Sequence, residues 1–354
     1  MPEGTGLRRG TEEALSFQGK LAEQEFDVIR RVLKSADDRP LPRGRGSVST
    51  SKRSSPIPSR ALAVLAVAGL MAAVPAAGGE DVHPDGRGDR PRAIGEGNPR
   101  KPPLRPIRER QAPIIYHGGP VLRDPTVYIV WYGTWTPNEQ TILENLASHI
   151  GGSPYANILT TYSDFSGQII PATITFGGSA VDNYSLGQNL SDFDIRTVVE
   201  RAIANKSLPY DASGIYFVFT AEDVDEISGQ CTTFCGWHQN VEGTGGRFNE
   251  AFIGNPARCG GACGSLGPSP NNDAGADGAA SIFAHELMES ITDPYGSAWY
   301  DHNGDECADK CAYTYGSTTT LPNGSVANIQ LGGLNYLIQE IWVNLGPGRC
   351  AMQR

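Results

Sequence analysis

The residues with the clearest capacity for chemistry lie in one short segment. It reads H-E-L-M-E, with His285, Glu286 directly after it, and Glu289 four positions on. Residues four apart lie on one face of an α-helix. Zinc peptidase helices place two ligands at this spacing, with a glutamate beside the first ligand that takes a proton from water. The segment predicts zinc held by His285 and Glu289, with Glu286 as the general base.

A third ligand has to come from another part of the chain. The acidic segment DECADKC, residues 305–311, contains Glu306 and Asp309. If it returns to the helix, Asp309 or Glu306 completes the ligand set and leaves one position open for water. Because metal–ligand bonds are near 2 Å, we expect the side chains of His285, Glu289 and Asp309 to converge to within about 4 Å. The predicted activity is that of a metal-dependent hydrolase, a peptidase that uses a metal-activated water.

The same residues allow other interpretations. His285 can cap the helix or pair with carboxylates, and a solvated acidic loop explains the cluster of acidic residues after the helix. A ligand set with two carboxylates is harder than a His-rich zinc site, so calcium or manganese is an alternative to zinc. Asp301, Asn303 and Asp305 alternate as in a calcium loop, although no glycine stands at the sixth position.

Two other histidines are weaker candidates. His238 ends the motif Cys235-Gly-Trp-His238, where a structural role and a catalytic role are equally compatible with the sequence. His117 precedes the first predicted strand in a Gly- and Pro-rich motif, which favours a structural role. The sequence contains no G-x-G-x-x-G, no P-loop and no G-x-S-x-G motif, so nucleotide binding and serine hydrolase chemistry have no local support.

All seven cysteines lie beyond residue 230, and six of them form three C-x3-C pairs. In an exported protein such pairs predict disulfides. We expect Cys231–Cys235, Cys259–Cys263 and Cys311–Cys350, with Cys307 left free. Zinc binding by Cys231, Cys235 and His238 is the competing interpretation, because structural zinc sites use similar spacings.

Composition divides the chain of 354 residues into two parts. Residues 1–110 hold 20 Lys+Arg and 14 Asp+Glu, whereas residues 111–354 hold 9 and 25. The acidic C-terminal part is large enough for a substantial core, and its charge disfavours nucleic acid and anionic membranes as partners. The expected partner is an extracellular peptide or a cell-wall component; the oligomeric state is not predicted.

The N-terminal part predicts export. A basic stretch precedes the apolar run Ala61–Ala77, which ends in small residues, as in a secretory signal. An uncleaved membrane anchor is the alternative. We therefore divide the chain into an extension (1–51, disordered or non-native), a signal peptide (52–77), a linker or pro-segment (78–111) and a single globular domain (112–354). The predicted location is extracellular.

Strand and helix patterns alternate along the globular part, so we predict an α/β (or α+β) fold with a mixed sheet flanked by helices, a zincin-like helix and disulfide-tied irregular loops. The predicted strands are Thr126–Tyr132, Ile169–Phe176, Ile215–Thr220 and Asn249–Ile253, followed by a pair at Val326–Leu331 and Tyr336–Val343. The predicted helices are Asn138–Ile150, Asp192–Asn205 and Asp277–Thr292.

Several motifs that occur in one order resemble the phosphate-induced protein / EXORDIUM family of secreted proteins. They are Tyr116–Pro120, Val130–Gly133, Cys235–His238, Gly254–Asn255, Cys259–Cys263, Pro270–Asp273, Gly275, Asp277–Gly278 and Asn335–Trp342 with Cys350. The resemblance covers about residues 112–352 and implies secretion and a common fold. It does not imply an activity.

Two further motifs are similar to the microbial branch of that family. A helix of the form H-E-L-x-E-x-x-T-D-P corresponds to His285–Pro294, and an E-x-x-D-x-C loop corresponds to Glu306–Cys311. Cys307 falls inside this loop as an extra thiol, which agrees with its being unpaired. Plant members, which the resemblance links to growth and cell-wall responses, largely lack the His/Glu helix. A non-catalytic extracellular signalling or binding protein is therefore the alternative function.

Overall fold

The computed structural model describes residues 113–264 and 267–354, and the statements below concern these residues. The predictions for residues 1–51, 52–77 and 78–111 lie outside them. The α-helices are α1 (Pro137–His149), α2 (Asp192–Ala204) and α3 (Ala274–Thr292). The strands are β1 (Ile115–Tyr116), β2 (Thr126–Tyr132), β3 (Thr175–Asp182), β4 (Asn189–Leu190), β5 (Ile215–Thr220), β6 (Asp225–Glu226), β7 (Gly236–Gly243), β8 (Gly246–Gly254), β9 (Trp299–Tyr300), β10 (Thr319–Thr320), β11 (Val326–Ala327), β12 (Ile329–Leu331), β13 (Leu334–Tyr336), β14 (Ile341–Val343) and β15 (Arg349–Ala351). Short 3-10 helices cover Ala156–Thr161, Pro256–Cys259 and Asp309–Cys311.

The central sheet has five strands in the order β3-β2-β5-β8-β7. β3, β2, β5 and β8 are parallel, and β7 runs antiparallel to β8, so the sheet is mixed as predicted. β2 and β5 are almost entirely apolar because helices cover both faces of the sheet. α1 and α3 pack together on one face, where the Phe217 and Phe283 rings meet. α2 covers the opposite face.

Local signals in the sequence explain the starts of the first two helices. Thr136 caps α1 through the Glu139 N–H, and the Glu139 carboxylate accepts the Thr136 N–H in return. Ser191 and Asp194 form the same capping box at the start of α2. Each box satisfies two backbone donors that the helix itself leaves unpaired. The three predicted helices are present; two of their ends are as predicted and the other four differ by one to three residues.

Three predictions about strands were wrong in detail. The second strand spans Thr175–Asp182 rather than Ile169–Phe176, because this edge strand continues through Gly177 and Gly178 in its pairing with β2. β7 was missed, because its polar residues and flanking glycines hide a strand that is completed only by pairing with β8. In the tail, β12 pairs with β13, whereas Ile341–Val343 pairs with β15.

Helix α3 lies in the interior, between α1, β7 and β8. Asp273 caps it through the Ala276 N–H, and it ends at Thr292, with Asp293 as the C-cap residue directly before Pro294. Nearly all of its residues are buried, including His285 and Glu289. A helix that is buried all round is apolar or small on most sides, and the Ala- and Gly-rich sequence meets this requirement. None of the helices in the described ranges has the length and apolar character that a bilayer crossing requires.

Six cysteines form three disulfides, and two of the expected pairings were wrong. The structure joins Cys231 to Cys259 and Cys235 to Cys263, with Cα–Cα distances of 5.0 and 5.5 Å. The segment before β7 lies alongside the segment after β8, so each cysteine faces a partner across the gap. These bonds also exclude zinc binding by the Cys231 and Cys235 thiolates. Cys311–Cys350 and the free, buried Cys307 are as predicted.

A buried acid lies on the α2 side of the sheet. Glu250 of β8 is fully buried and accepts a hydrogen bond of 2.6 Å from Gln239 Nε2. Burial raises the pKa of Glu250 to about 8, although nearby Arg196 opposes the shift. The carboxyl is therefore protonated in the folded protein at a pH where it is ionised in the unfolded chain.

This burial predicts a loss of stability as the pH rises from about 4.5 to about 8, because only the unfolded chain releases the Glu250 proton in that window. The free energy of unfolding should fall by up to about 5 kcal/mol from this group. Glu250→Gln should remove that part of the slope and be the more stable protein at pH 8. Urea denaturation at several pH values measures the free energy of unfolding of each variant, and Glu222→Gln, at an exposed position, is the control. Parallel pH profiles for wild type and Glu250→Gln would contradict the prediction.

Candidate metal centre

Helix α3 carries two of the predicted ligands on one face. His285 and Glu289 are one helical turn apart, and His285 Nε2 lies 3.2 Å from Glu289 Oε2. Both side chains are fully buried. The helix period alone brings the two groups together.

The loop at residues 305–311 returns to this helix through its backbone. The N–H groups of Ala308 and Asp309 donate hydrogen bonds of 3.1 and 2.8 Å to Glu289 Oε1. These bonds engage one oxygen of Glu289, and the other oxygen faces His285. Asp309 also directs Oδ1 toward His285, at 3.7 Å from Nε2.

His285, Glu289 and Asp309 thus form a compact group. One ligand atom from each lies within 4.8 Å of the other two, and both distances to His285 Nε2 are below 4 Å. One imidazole nitrogen with two carboxylate oxygens is a donor set that zinc accepts. Three protein ligands also leave a fourth position open, as catalytic zinc sites do. The side chains fit a divalent cation.

A second group of ligand atoms adjoins the first. His238 of β7, Glu289 and Glu306 each place one such atom within 4.8 Å of the others. His238 Nδ1 lies 3.1 Å from Glu286 Oε2, and His238 Nε2 lies 3.8 Å from Glu306 Oε1. From the sequence, His238 is an ambiguous candidate. The pattern could not place it beside α3, because that position depends on the pairing of β7 with β8.

The carboxyl groups differ in their electrostatic environment. Burial and the adjacent Glu289 raise the pKa of Asp309 well above its ordinary value. Burial opposes the ionisation of Glu289, but His285 and the backbone N–H of Asp309 hold its pKa below the ordinary value. Burial and nearby Glu289 raise the pKa of the Cys307 thiol well above its ordinary value, and the Thr292 hydroxyl lies 3.4 Å from Cys307 Sγ.

The alternation of Asp301, Asn303 and Asp305 has another structural explanation than a calcium loop. Asp301 Oδ1 accepts the N–H groups of Asn303 and Asp305, which closes a turn. Asp301 Oδ2 holds the ammonium of buried Lys310 at 3.0 Å, and that ammonium lies over the Trp342 ring. Asp301 therefore anchors the residue that follows Asp309.

His117 lies in a different environment. Its ring stacks on Tyr300 with a centroid distance of 3.6 Å, beside the β1–β9 pair. In the described part of the chain, neither group of ligand atoms around Glu289 includes it. The structural role that the sequence favoured for His117 stays a prediction.

The comparisons with known proteins concern the region that holds all of these groups. Residues 114–336 match the family profile described as "Phosphate-induced protein 1 conserved region". The chain belongs to the phosphate-induced protein 1 family. The matched residues include β7, α3 and the loop with Glu306 and Asp309. Its assignment to a microbial branch stays a prediction.

Curated relatives in this family come from plants. Protein EXORDIUM-like 3 of Arabidopsis thaliana is 32% identical over 268 residues, which are 64% of this chain and 79% of the relative. EXORDIUM-like 5 of the same plant is 27% identical over 270 residues, which are 64% and 74% of the two chains. PHOSPHATE-INDUCED 1 of Nicotiana tabacum is 27% identical over 233 residues, which are 56% and 72%. No solved structure matches this chain.

The disulfide Cys311–Cys350 holds the short 3-10 helix that begins at Asp309. It closes a segment with a sequence separation of 39 residues. Replacing both cysteines by alanine should lower the free energy of unfolding by roughly 3–4 kcal/mol, because the unfolded chain regains the entropy of that loop. Urea denaturation measures the change.

Cys307→Ala is the matched control, since it removes a buried sulfur but no crosslink, at a cost of about 1 kcal/mol. A double variant as stable as this control would show that the crosslink does not stabilise the loop.

Proposed function

We propose that this protein is an exported metal-dependent hydrolase, a peptidase whose zinc is held by His285, Glu289 and Asp309. One observation carries the proposal: two fully buried groups of ligand type on a helix and a third, partly buried group on a loop 20 residues later lie close together. The two backbone hydrogen bonds to Glu289 Oε1 support it, because they hold the loop against the helix in the register that places Asp309 beside His285.

Export belongs to the same proposal. Three disulfides are typical of an oxidising compartment, and the pattern over residues 52–77 is typical of a secretory signal. An extracellular peptide is the substrate that we propose, because the spacing of His285, Glu286 and Glu289 parallels the metal helix of zinc peptidases.

The metal would supply Lewis acidity and lower the pKa of a bound water to near 7. His285 would bind through Nε2, the nitrogen that faces both carboxylates. Asp309 is the ligand closest to solvent, because its side chain is 14% exposed whereas those of His285 and Glu289 are fully buried. Substrate would therefore approach from the Asp309 side.

Glu286 is the proposed general base. It follows His285 directly, is fully buried, and holds His238 Nδ1 at 3.1 Å through Oε2. A carboxylate in this position accepts a proton from water and returns it to the leaving amine, and the hydrogen bond to His238 keeps it oriented. Calcium or manganese would suit the two carboxylates, but the imidazole favours zinc.

A second function is favoured by the burial of the site. The side chains of His285, Glu286, Glu289 and Glu306 are all fully buried. A cation enclosed in this way would fasten α3 to the acidic loop without turnover, in a non-catalytic extracellular signalling or cell-wall protein. This function predicts metal-dependent stability and no hydrolysis.

Glu286→Gln and His285→Ala separate the two functions. The purified wild type should contain zinc and cleave casein or a peptide library. Glu286→Gln should keep zinc at the His285 group but lose activity by about 10² to 10⁴-fold, because the amide cannot take the proton. His285→Ala should lose both the zinc and the activity. Metal analysis and peptide cleavage measure these effects.

Equal cleavage by wild type and Glu286→Gln would refute the catalytic role. A protein that binds zinc, melts at a lower temperature when the zinc is removed, and cleaves nothing would support the structural function instead. A wild type that binds no divalent cation would refute both.

A further inference from the structure

We propose that the site holds two divalent cations, with a second position formed by His238, Glu306 and Glu289. This inference rests on the proposed function, because Glu289 would be shared between both positions. The second position takes its ligands from three separate parts of the fold: β7, α3 and the loop at residues 305–311.

The distances support a second position rather than a larger first one. His238, Glu289 and Glu306 converge within 4.8 Å, as do His285, Glu289 and Asp309. These are two separate groups that share one residue. A carboxylate has two oxygens and can bridge two metal ions that lie about 3.5–4 Å apart, as in two-metal hydrolases. Because Glu289 Oε1 already accepts two backbone N–H groups, Oε2 is the oxygen that both positions would share.

The partner of His238 is the second observation. Histidines that bind metals donate their other ring N–H to a carboxylate, which sets the tautomer and the ring orientation. Glu286 Oε2 lies 3.1 Å from His238 Nδ1, and this contact leaves Nε2 facing Glu306 Oε1 at 3.8 Å. Glu286 therefore acts as a positioning residue for the second cation, beside its proposed role toward water.

The negative charge of the carboxylates around Glu289 also favours two cations. Glu286, Glu289, Glu306 and Asp309 carry a formal charge of −4 when ionised, and the two imidazoles carry none when neutral. The nearby ammonium of Lys310 is held by Asp301 at 3.0 Å. Buried charges are stable when they are paired or bind metal ions. One divalent cation balances half of this charge, and two balance all of it.

Glu306 and Asp309 are also held in relation to each other. The Glu306 N–H donates a hydrogen bond of 3.3 Å to Asp309 Oδ2, in the same loop whose next residues bond to Glu289. One loop thus presents Asp309 to His285 and Glu306 to His238. Binding at either position would order ligands of the other, so the two cations should bind with positive cooperativity.

The test is the metal stoichiometry of the full protein. After removal of metals with a chelator, wild type should bind two equivalents of Zn²⁺ by calorimetry and metal analysis. Glu306→Gln and His238→Gln should each bind one. Glu286→Gln should weaken the second equivalent by about 10 to 100-fold and leave the first unchanged. Exposed Glu242→Gln, on the same strand as His238, should bind two.

Mn²⁺ distinguishes a paired site from a separate surface site. Two equivalents should give the electron paramagnetic resonance spectrum of a spin-coupled pair in wild type and an isolated-ion spectrum in Glu306→Gln. Circular dichroism and the melting temperature establish that each variant is folded, and Glu306→Gln and His238→Gln serve as independent tests.

One equivalent in wild type that Glu306→Gln retains would refute the second position and leave the proposed function standing. One equivalent that Glu306→Gln loses would refute the two-cation site and also the assignment of the zinc to His285, Glu289 and Asp309. Two uncoupled equivalents would also refute it. No binding by wild type would refute the second position and the proposed function together.

Discussion

The candidate centre depends on one carboxylate that serves two purposes. Glu289 Oε1 accepts the N–H groups of Ala308 and Asp309, and Glu289 Oε2 faces His285. The first contact fixes the backbone of the acidic loop against α3, and the second brings an imidazole beside the same carboxylate. These backbone hydrogen bonds place Asp309 next to His285, which lies 24 positions earlier in the chain. The position of Asp309 beside His285 follows from this junction, whereas His238 reaches the centre through the pairing of β7 with β8.

Core packing, three disulfides and a buried ion pair link the elements around this junction. The buried strands β2 and β5 lie in the middle of the sheet. Helix α3 packs against β7 and β8, the two strands at one edge of the sheet. Two disulfides tie the chain before β7 to the chain after β8, and a third holds the acidic loop to the C-terminal strand. Lys310 anchors the same loop through Asp301. A cluster of buried polar groups is costly unless its geometry is held, and these links hold it.

Membership of the phosphate-induced protein 1 family and the candidate centre are separate findings. The family region spans every residue of the centre, but the relatives' names specify no reaction. Three buried carboxyl groups and one partly buried carboxyl group beside two imidazoles would destabilise a core that binds nothing. A bound cation would balance these carboxylates in either of the two functions considered. The two functions differ in whether a substrate can reach the buried site past Asp309.

The sequence by itself determined the local features: the period that puts His285 and Glu289 on one face, the positions of the three helices, and the apolar strands β2 and β5. These depend on neighbours within a few residues, so the pattern alone predicts them. Only the tertiary structure decided what depends on distant segments. The antiparallel pairing of β7 with β8 brings His238 next to Glu286. The segments before β7 and after β8 lie side by side, so their cysteines pair with each other and not within each segment. Asp301 forms an ion pair with Lys310. Such contacts join residues that the chain separates, and no local pattern specifies which surfaces will meet when the sheet closes.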